Sequence, residues 1–287
     1  MPVLFRLLAH IPLRAVHFLG GGLGWLAFLA SPTYRRRFLA NAALAGYRFA
    51  DVRPAVAQAG RTVAEIPRLW FGEAPHCTLQ NEALVAQAYA AGRGVIYLTP
   101  HLGCFELSAR DAARRWGAVY GPITVLYRPA RQAWLARLME TARNRPAMHA
   151  VPTTLSGVRQ MIKALRRGEA VGLLPDQVPP SGLGVWAPFF GQDAYTMTLA
   201  ARLAQQTGAQ VVLAFCERLP RGRGFVTHFQ RLEEPLAHDA TQAAAQINAA
   251  MERLIRQCPE QYLWGYARYK RPRAEAVPQA AVAGGAA

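Results

Sequence analysis

Residues Gly94-Val-Ile-Tyr-Leu-Thr-Pro100 run directly into His101-Leu-Gly-Cys-Phe-Glu106, and the fold class turns on how this stretch reads. The first part is a short apolar run closed by a proline, the pattern of a buried strand that ends at a turn. The second part sets an imidazole just past the strand's carboxyl end, with a carboxylate five residues on. Imidazole is the side chain best matched to proton transfer near neutral pH. A carboxylate beside it fixes the ring tautomer and steadies the imidazolium. Ligands of parallel sheets bind beyond the carboxyl ends of the strands. The position of His101 therefore carries more weight than the five-residue spacing, which chance supplies often.

Outward from this point the chain alternates. Apolar runs recur at 122–127, 170–174 and 211–216, with another candidate strand at 225–231. Helical patterns lie between and beyond them, at 105–116, 131–144, 153–167, 194–207 and 241–257. The third places Leu155, Val158, Ile162 and Leu165 on one face and stops at Gly168, while the fourth stops at Gly208, each a typical C-terminal cap. Strands alternating with helices predict an α/β fold, a mixed, largely parallel sheet flanked by helices. Residues 35–90 are rich in Ala and Arg, with Val63, Ile66, Leu69 and Trp70 at helical spacing, and read as helical. The boundaries expected are an apolar N-terminal segment over 1–34, a main domain over 35–272 and a tail over 273–287. From Ala274 that tail is Ala/Gly/Pro-rich and is predicted to be disordered.

Residues 15–34 contain no Asp, Glu, Lys or Arg, a length that just spans a bilayer. Gly20, Gly21, Gly22 and Gly24 weaken it as an independent helix by about 1 kcal/mol each relative to alanine. Arg6 and Arg14 precede it and Arg35, Arg36 and Arg37 follow, so the flanking charge gives no orientation. A full span, a partial insertion and a helix lying among headgroups with arginines snorkelling outward all fit. A helix buried against the main domain is the alternative. No small-x-small site marks a cleaved signal peptide.

The chain has 287 residues, 52% of them hydrophobic, which excludes a disordered protein. Its 33 basic and 17 acidic residues leave a net charge of +16, pointing to an anionic partner. Only Lys163 and Lys270 are lysines, and guanidinium forks suit phosphates and anionic headgroups. The arginines are dispersed and no recognition motif is present, so nucleic acid is the weaker partner. Cys77, Cys104, Cys216 and Cys258 lack any CxxC pair, which argues for neither a metal site nor a disulfide framework and suits a reducing compartment. His149, His228 and His238 have no partners at metal spacing. Cys104 reads as part of a packed helix start rather than a nucleophile.

Three further motifs accompany His101 and Glu106 in order. They are Tyr127-Arg128-Pro129 with Arg143 on the helix after it, Leu173-Leu174-Pro175-Asp176-Gln177, and Pro188-Phe189-Phe190-Gly191 followed by Tyr195-Thr196. A final run, Trp264-Gly-Tyr-Ala-Arg268-Tyr269-Lys270, closes the set. Over roughly residues 1–271 the chain resembles the lipid A biosynthesis acyltransferases, the late lauroyl/myristoyl transferases of Gram-negative bacteria. These belong to the lysophospholipid acyltransferase superfamily with its H-x4-D/E signature. The chain departs from the family's C-terminal pattern in lacking a His and one Arg, which bears on acceptor specificity.

The resemblance implies a glycerolipid-acyltransferase-like fold with a membrane-associated N-terminal helix, on the cytoplasmic face of an inner membrane. It implies transfer of a fatty acyl chain from acyl carrier protein to a hydroxyl of a lipid A precursor, with no further cofactor and no nucleic acid. His101 would be the general base and Glu106 its orienting carboxylate. Arg128 would stabilise the oxyanion or, with Arg143, grip phosphate. Asp176 would orient an arginine or a sugar group, with Gln177 beside it at the substrate, and Phe189 and Phe190 would line an acyl channel. Rival readings are a glycerolipid, mannoside or ornithine-lipid acceptor, and a hydrolase that turns the same His/Glu pair on water.

Overall fold

The computed structural model describes residues 2–127, 132, 138–139, 142 and 147–273. Arg128, Arg143, most of the helix predicted at 131–144 and the tail from Ala274 lie outside the described residues. The strands are β1 (Cys77–Gln80), β2 (Val95–Leu98), β3 (Ile123–Tyr127), β4 (Met148–Pro152), β5 (Ala170–Leu173), β6 (Gly184–Phe189), β7 (Gln192–Met197), β8 (Gln210–Arg218) and β9 (Phe225–Arg231). The helices are α1 (Pro2–Leu8), α2 (Leu13–Ala30), α3 (Pro32–Leu44), α4 (Phe49–Val52), α5 (Pro54–Ala64), α6 (Ile66–Phe71), α7 (Glu82–Ala90) and α8 (Phe105–Tyr120). After them come α9 (Leu155–Arg166), α10 (Leu199–Thr207) and α11 (Ala240–Gln257).

Seven strands form one sheet in the order β1-β9-β8-β2-β5-β3-β4, and β6 and β7 make a separate hairpin. All neighbouring pairs of the large sheet are parallel except β8 with β9. Strand β2 lies between β8 and β5 and is buried on both faces, which is why its sequence is a continuous apolar run. Ile96 and Leu98 pack into a core shared with residues of α2, α3, α5, α9, α10 and α11. Val95 and Tyr97 pack the opposite way, against α7 and α8. The predicted α/β class and largely parallel sheet are thus what forms.

Three elements differ from the sequence reading. Strand β1 interrupts the region read as helical, pairing with β9 at the sheet edge. Strand β4 pairs with β3 at the other edge. The helix expected from 194 begins only at Leu199, because residues 184–197 form the β6–β7 hairpin. Phe190 and Gly191 turn that hairpin, at φ 47° and 76°.

Helix α2 shows what its glycines do. A Cβ on Gly20 would sit 2.8 Å from Arg61 Cα, one on Gly24 would sit 2.1 Å from Val56 O, and one on Gly60 would sit 2.0 Å from Gly20 O. The two backbones of α2 and α5 touch through these three positions, as small residues allow. The outward face stays apolar and exposed, with Phe18 at 81%, Leu26 at 64% and Leu29 at 65%. Helix α2 is therefore neither fully buried nor free: one side is packed on protein and the other is bare.

Candidate active site

The loop after β2 is held from several sides. Thr99 N donates to Leu173 O on the neighbouring strand (3.2 Å), and Leu102 N closes a turn on Pro100 O (2.7 Å). Strand β8 runs on past the end of β2, so Cys104 N reaches Cys216 O (2.8 Å) while Gly103 N donates to Gln261 O (3.1 Å). Leu263 N donates to the His101 carbonyl (3.2 Å). Gly103 has φ +59°, and a Cβ there would lie 2.0 Å from Cys216 O. Only glycine satisfies both the left-handed turn and that approach.

This loop presents His101 to Asp176, which follows β5. Nδ1 of the ring is 2.7 Å from Asp176 Oδ1, and the His101 backbone N–H donates to Oδ2 (2.9 Å). Asp176 is 2% exposed and His101 16%, so the brace is buried and the ring reaches the surface. Burial opposes charge on Asp176, but its interactions with the His101 ring and backbone N–H, aided by Arg268, outweigh it and hold the carboxyl below its ordinary range. An ionised carboxylate only accepts, so the proton sits on Nδ1. On the far side the amide nitrogen of Gln177 lies 3.0 Å from Nε2. An amide nitrogen only donates, so Nε2 carries the lone pair. Asp176 and Gln177 together select the tautomer a general base needs. The Phe105 ring packs edge-on against the imidazole, with centroids 4.8 Å apart.

The brace differs from the sequence reading. Asp176, expected to orient an arginine or a sugar, orients His101. Glu106, expected in that role, lies half-buried in the first turn of α8, where the helix dipole favours its charge. The two ring nitrogens face Asp176 and Gln177 instead.

The C-terminal run wraps the same site. Asn41 Nδ2 holds the carbonyls of Trp264 (2.6 Å) and Tyr266 (2.7 Å), and Val178 N donates to the Tyr266 hydroxyl (3.0 Å). Tyr262 is buried next to Asp176, and burial together with that charge pushes its hydroxyl well above the usual range. Arg268 is buried with its guanidinium 5.0 Å over the Phe189 ring. It donates to Tyr195 O and Thr196 Oγ1, both at 2.7 Å. Phe189 and Phe190 are buried against each other and against Trp264 and Tyr269. Packing is the role visible for them, along one narrow pocket shared with Tyr262 and Arg268. Tyr262 was not singled out from sequence; the reverse pairing of Leu102 with Tyr262 that places it is a long-range contact with no local signal.

The family model described as bacterial lipid A biosynthesis acyltransferase matches residues 2–271. The chain is 29% identical over 225 residues to the lipid A biosynthesis lauroyltransferase of Escherichia coli (strain K12), covering 76% of this chain and 71% of that protein. It is 30% identical over 193 residues to the lipid A biosynthesis palmitoleoyltransferase of the same organism, covering 66% of this chain and 60% of the other. A lipid A biosynthesis acyltransferase of Haemophilus influenzae (strain ATCC 51907 / DSM 11121 / KW20 / Rd) is 27% identical over 185 residues, covering 63% of this chain and 55% of that protein. With nearly its whole length matched, and with a braced histidine at the carboxyl end of a central strand, the chain belongs to the bacterial lipid A biosynthesis acyltransferase family.

Proposed function

We propose that this acyltransferase moves a fatty acyl chain from acyl carrier protein to a hydroxyl of a lipid A precursor, with His101 as general base. The observation that carries the reading is the His101 ring, its Nδ1–H given to Asp176 and its Nε2 lone pair turned outward toward Gln177. The acceptor hydroxyl displaces the Gln177 amide and gives its proton to Nε2 as its oxygen attacks the thioester carbonyl. Asp176 stays ionised and stabilises the imidazolium. The oxyanion of the tetrahedral intermediate takes donors from the backbone at the start of α8 or from Arg128. As the C–S bond breaks, the imidazolium returns its proton to the departing carrier thiolate. The product is an ester, and no covalent enzyme intermediate forms. Arg143 is the candidate for gripping phosphate on the acceptor or on the carrier. The net charge of +16 suits both an acidic carrier and anionic lipid.

The bare face of α2, between Arg14 and the Arg35–Arg37 cluster, supports seating on an anionic membrane surface, taken here as the cytoplasmic face of the inner membrane, with its glycine side kept on α5. The test is to incubate purified protein with vesicles, a lipid A precursor and a panel of acyl-carrier thioesters, then weigh the lipids. An acceptor heavier by one acyl chain supports the reading. Free fatty acid alone would mean hydrolysis, and acylation of a glycerolipid or ornithine lipid in place of the precursor would move the acceptor.

A further inference from the structure

A charge cluster beneath the catalytic loop takes no part in the steps above. Arg218 ends β8 and Glu65 follows α5, with side chains 0% and 1% exposed. Arg218 Nε donates to Glu65 Oε1 (2.5 Å) and Nη2 to Oε2 (2.7 Å), a two-pronged fork. Nη1 donates to Gln58 Oε1 (2.9 Å), and Nη2 also reaches Thr62 Oγ1 and the Gly103 carbonyl, each at 3.3 Å. His17 Nε2, from α2, lies 2.6 Å from Glu65 Oε1. Burial opposes charge on Glu65, yet Arg218 and then His17 outweigh it and hold the carboxyl at about 2. The carboxylate therefore accepts and the His17 ring donates.

Taking such a pair out of water costs about as much as the attraction returns, so the pair is a poor source of net stability. What it does here is join segments. Guanidinium and carboxylate connect α2, α5 and β8 to the carbonyl of Gly103, two residues past His101. Gln261 completes the clamp. Its side chain takes the Arg218 N–H (2.9 Å) and donates to the Arg218 carbonyl (3.0 Å), and its own carbonyl holds Gly103 N (3.1 Å). We propose that Arg218 is a positioning residue for His101, and that His17 extends this tether to the apolar helix α2. The proposal rests on the acyl-transfer reading for its rate effects, but not for its structural ones.

The test separates position from stability. Arg218→Met alone strands the Glu65 charge and lowers Tm. Glu65→Gln combined with Arg218→Met removes both charges and recovers most of that Tm. The Gly103 carbonyl still has no guanidinium donor. The double variant is expected to lose about 10²-fold in kcat with KM little changed, and to exchange the Gly103 and Cys104 amide protons faster. Recovery of kcat together with Tm would overturn the proposal. His17→Leu, which leaves Glu65 paired with Arg218, is expected to show a smaller fall in kcat and faster exchange at the same two amides. His17→Gln, whose amide can donate to Glu65, restores both. Amide exchange needs no substrate, so it reads the tether even if the wild type acylates nothing, an outcome that would defeat the functional reading alone. Wild-type exchange at both amides in His17→Leu, with either wild-type exchange in the double variant or its failure to fold, overturns the tether.

Discussion

Asp176→Asn keeps the shape of the brace on His101 and removes half of its accepting capacity. In the wild type one carboxylate oxygen takes Nδ1–H at 2.7 Å and the other takes the backbone N–H at 2.9 Å. An amide has one oxygen for these two donors. If that oxygen stays on the ring, the NH2 group faces the backbone N–H, donor against donor. If the amide turns, the NH2 group faces Nδ1 and drives the ring proton to Nε2, the tautomer that cannot accept a proton from an alcohol. Losing one charge-assisted bond and leaving a buried donor unpaired costs about 2–3 kcal/mol of stability, a fall in Tm of about 3–5 °C for a chain of this size. The wrong tautomer and the loss of a negative partner for the imidazolium cost about 10³–10⁴ in kcat, or about 4–5.5 kcal/mol. The assay is the initial rate of product formation by mass, run beside a melting curve. The carboxyl of Asp176 is depressed in the folded state, so its contribution to stability is full above the ordinary carboxylate range and fades as pH falls below it. The variant lacks that part of the acid slope. Wild-type turnover by a folded Asp176→Asn protein refutes the assignment of the brace.

Three further outcomes are expected. Glu65, lowered from 4.5 to about 2, makes the folded state acid-sensitive: the advantage of its ionised form is full above pH 4.5 and is lost as pH falls toward 2; acid unfolding followed by circular dichroism reads it, and a Glu65→Gln protein with the same acid slope would contradict it. Gly60→Ala forces a Cβ to within 2.0 Å of Gly20 O and 2.3 Å of Gly24 N, so α2 and α5 must part, at about 1–3 kcal/mol; an unchanged Tm would show that the two helices do not meet there. Leu26→Glu with Leu29→Glu places charges on the bare face of α2, and is expected to abolish flotation with anionic vesicles while leaving Tm within a degree or two; undiminished flotation would move the membrane contact elsewhere.

Strand β2 and the histidine after it were legible because a strand buried on both faces must be apolar throughout, and because the ligand end of such a strand is known in advance. The motif holding Asp176 was also visible, but its role was not. Asp176 meets His101 only because β5 is the neighbour of β2, a crossover that joins residues 75 apart in sequence. The local spacing pointed to Glu106 instead. Between His101 and Glu106 the chain passes through the left-handed turn at Gly103 and then enters α8, so a five-residue separation has no fixed direction there. It is the Phe105 ring that settles beside the imidazole. The glycines of α2 read as a weakness because an isolated helix is weakened by them; their use appears only when α5 is packed alongside. The β6–β7 hairpin escaped notice because one of its two turn residues is Phe190, a residue type seldom left-handed. Arg218 and Glu65 lie 153 residues apart, and nothing local to either announces the other.

In the proposed reaction the Nε2 lone pair of His101, set by Asp176, removes the proton of a lipid hydroxyl as an acyl chain is transferred. Purified wild-type and His101→Ala proteins, each shown to be folded by its melting curve, are incubated with an acyl-carrier thioester and a lipid A precursor in the same vesicles, and the lipids are weighed. A precursor heavier by one acyl chain is expected with the wild type and none above background with His101→Ala. Equal yields from the two proteins would contradict it.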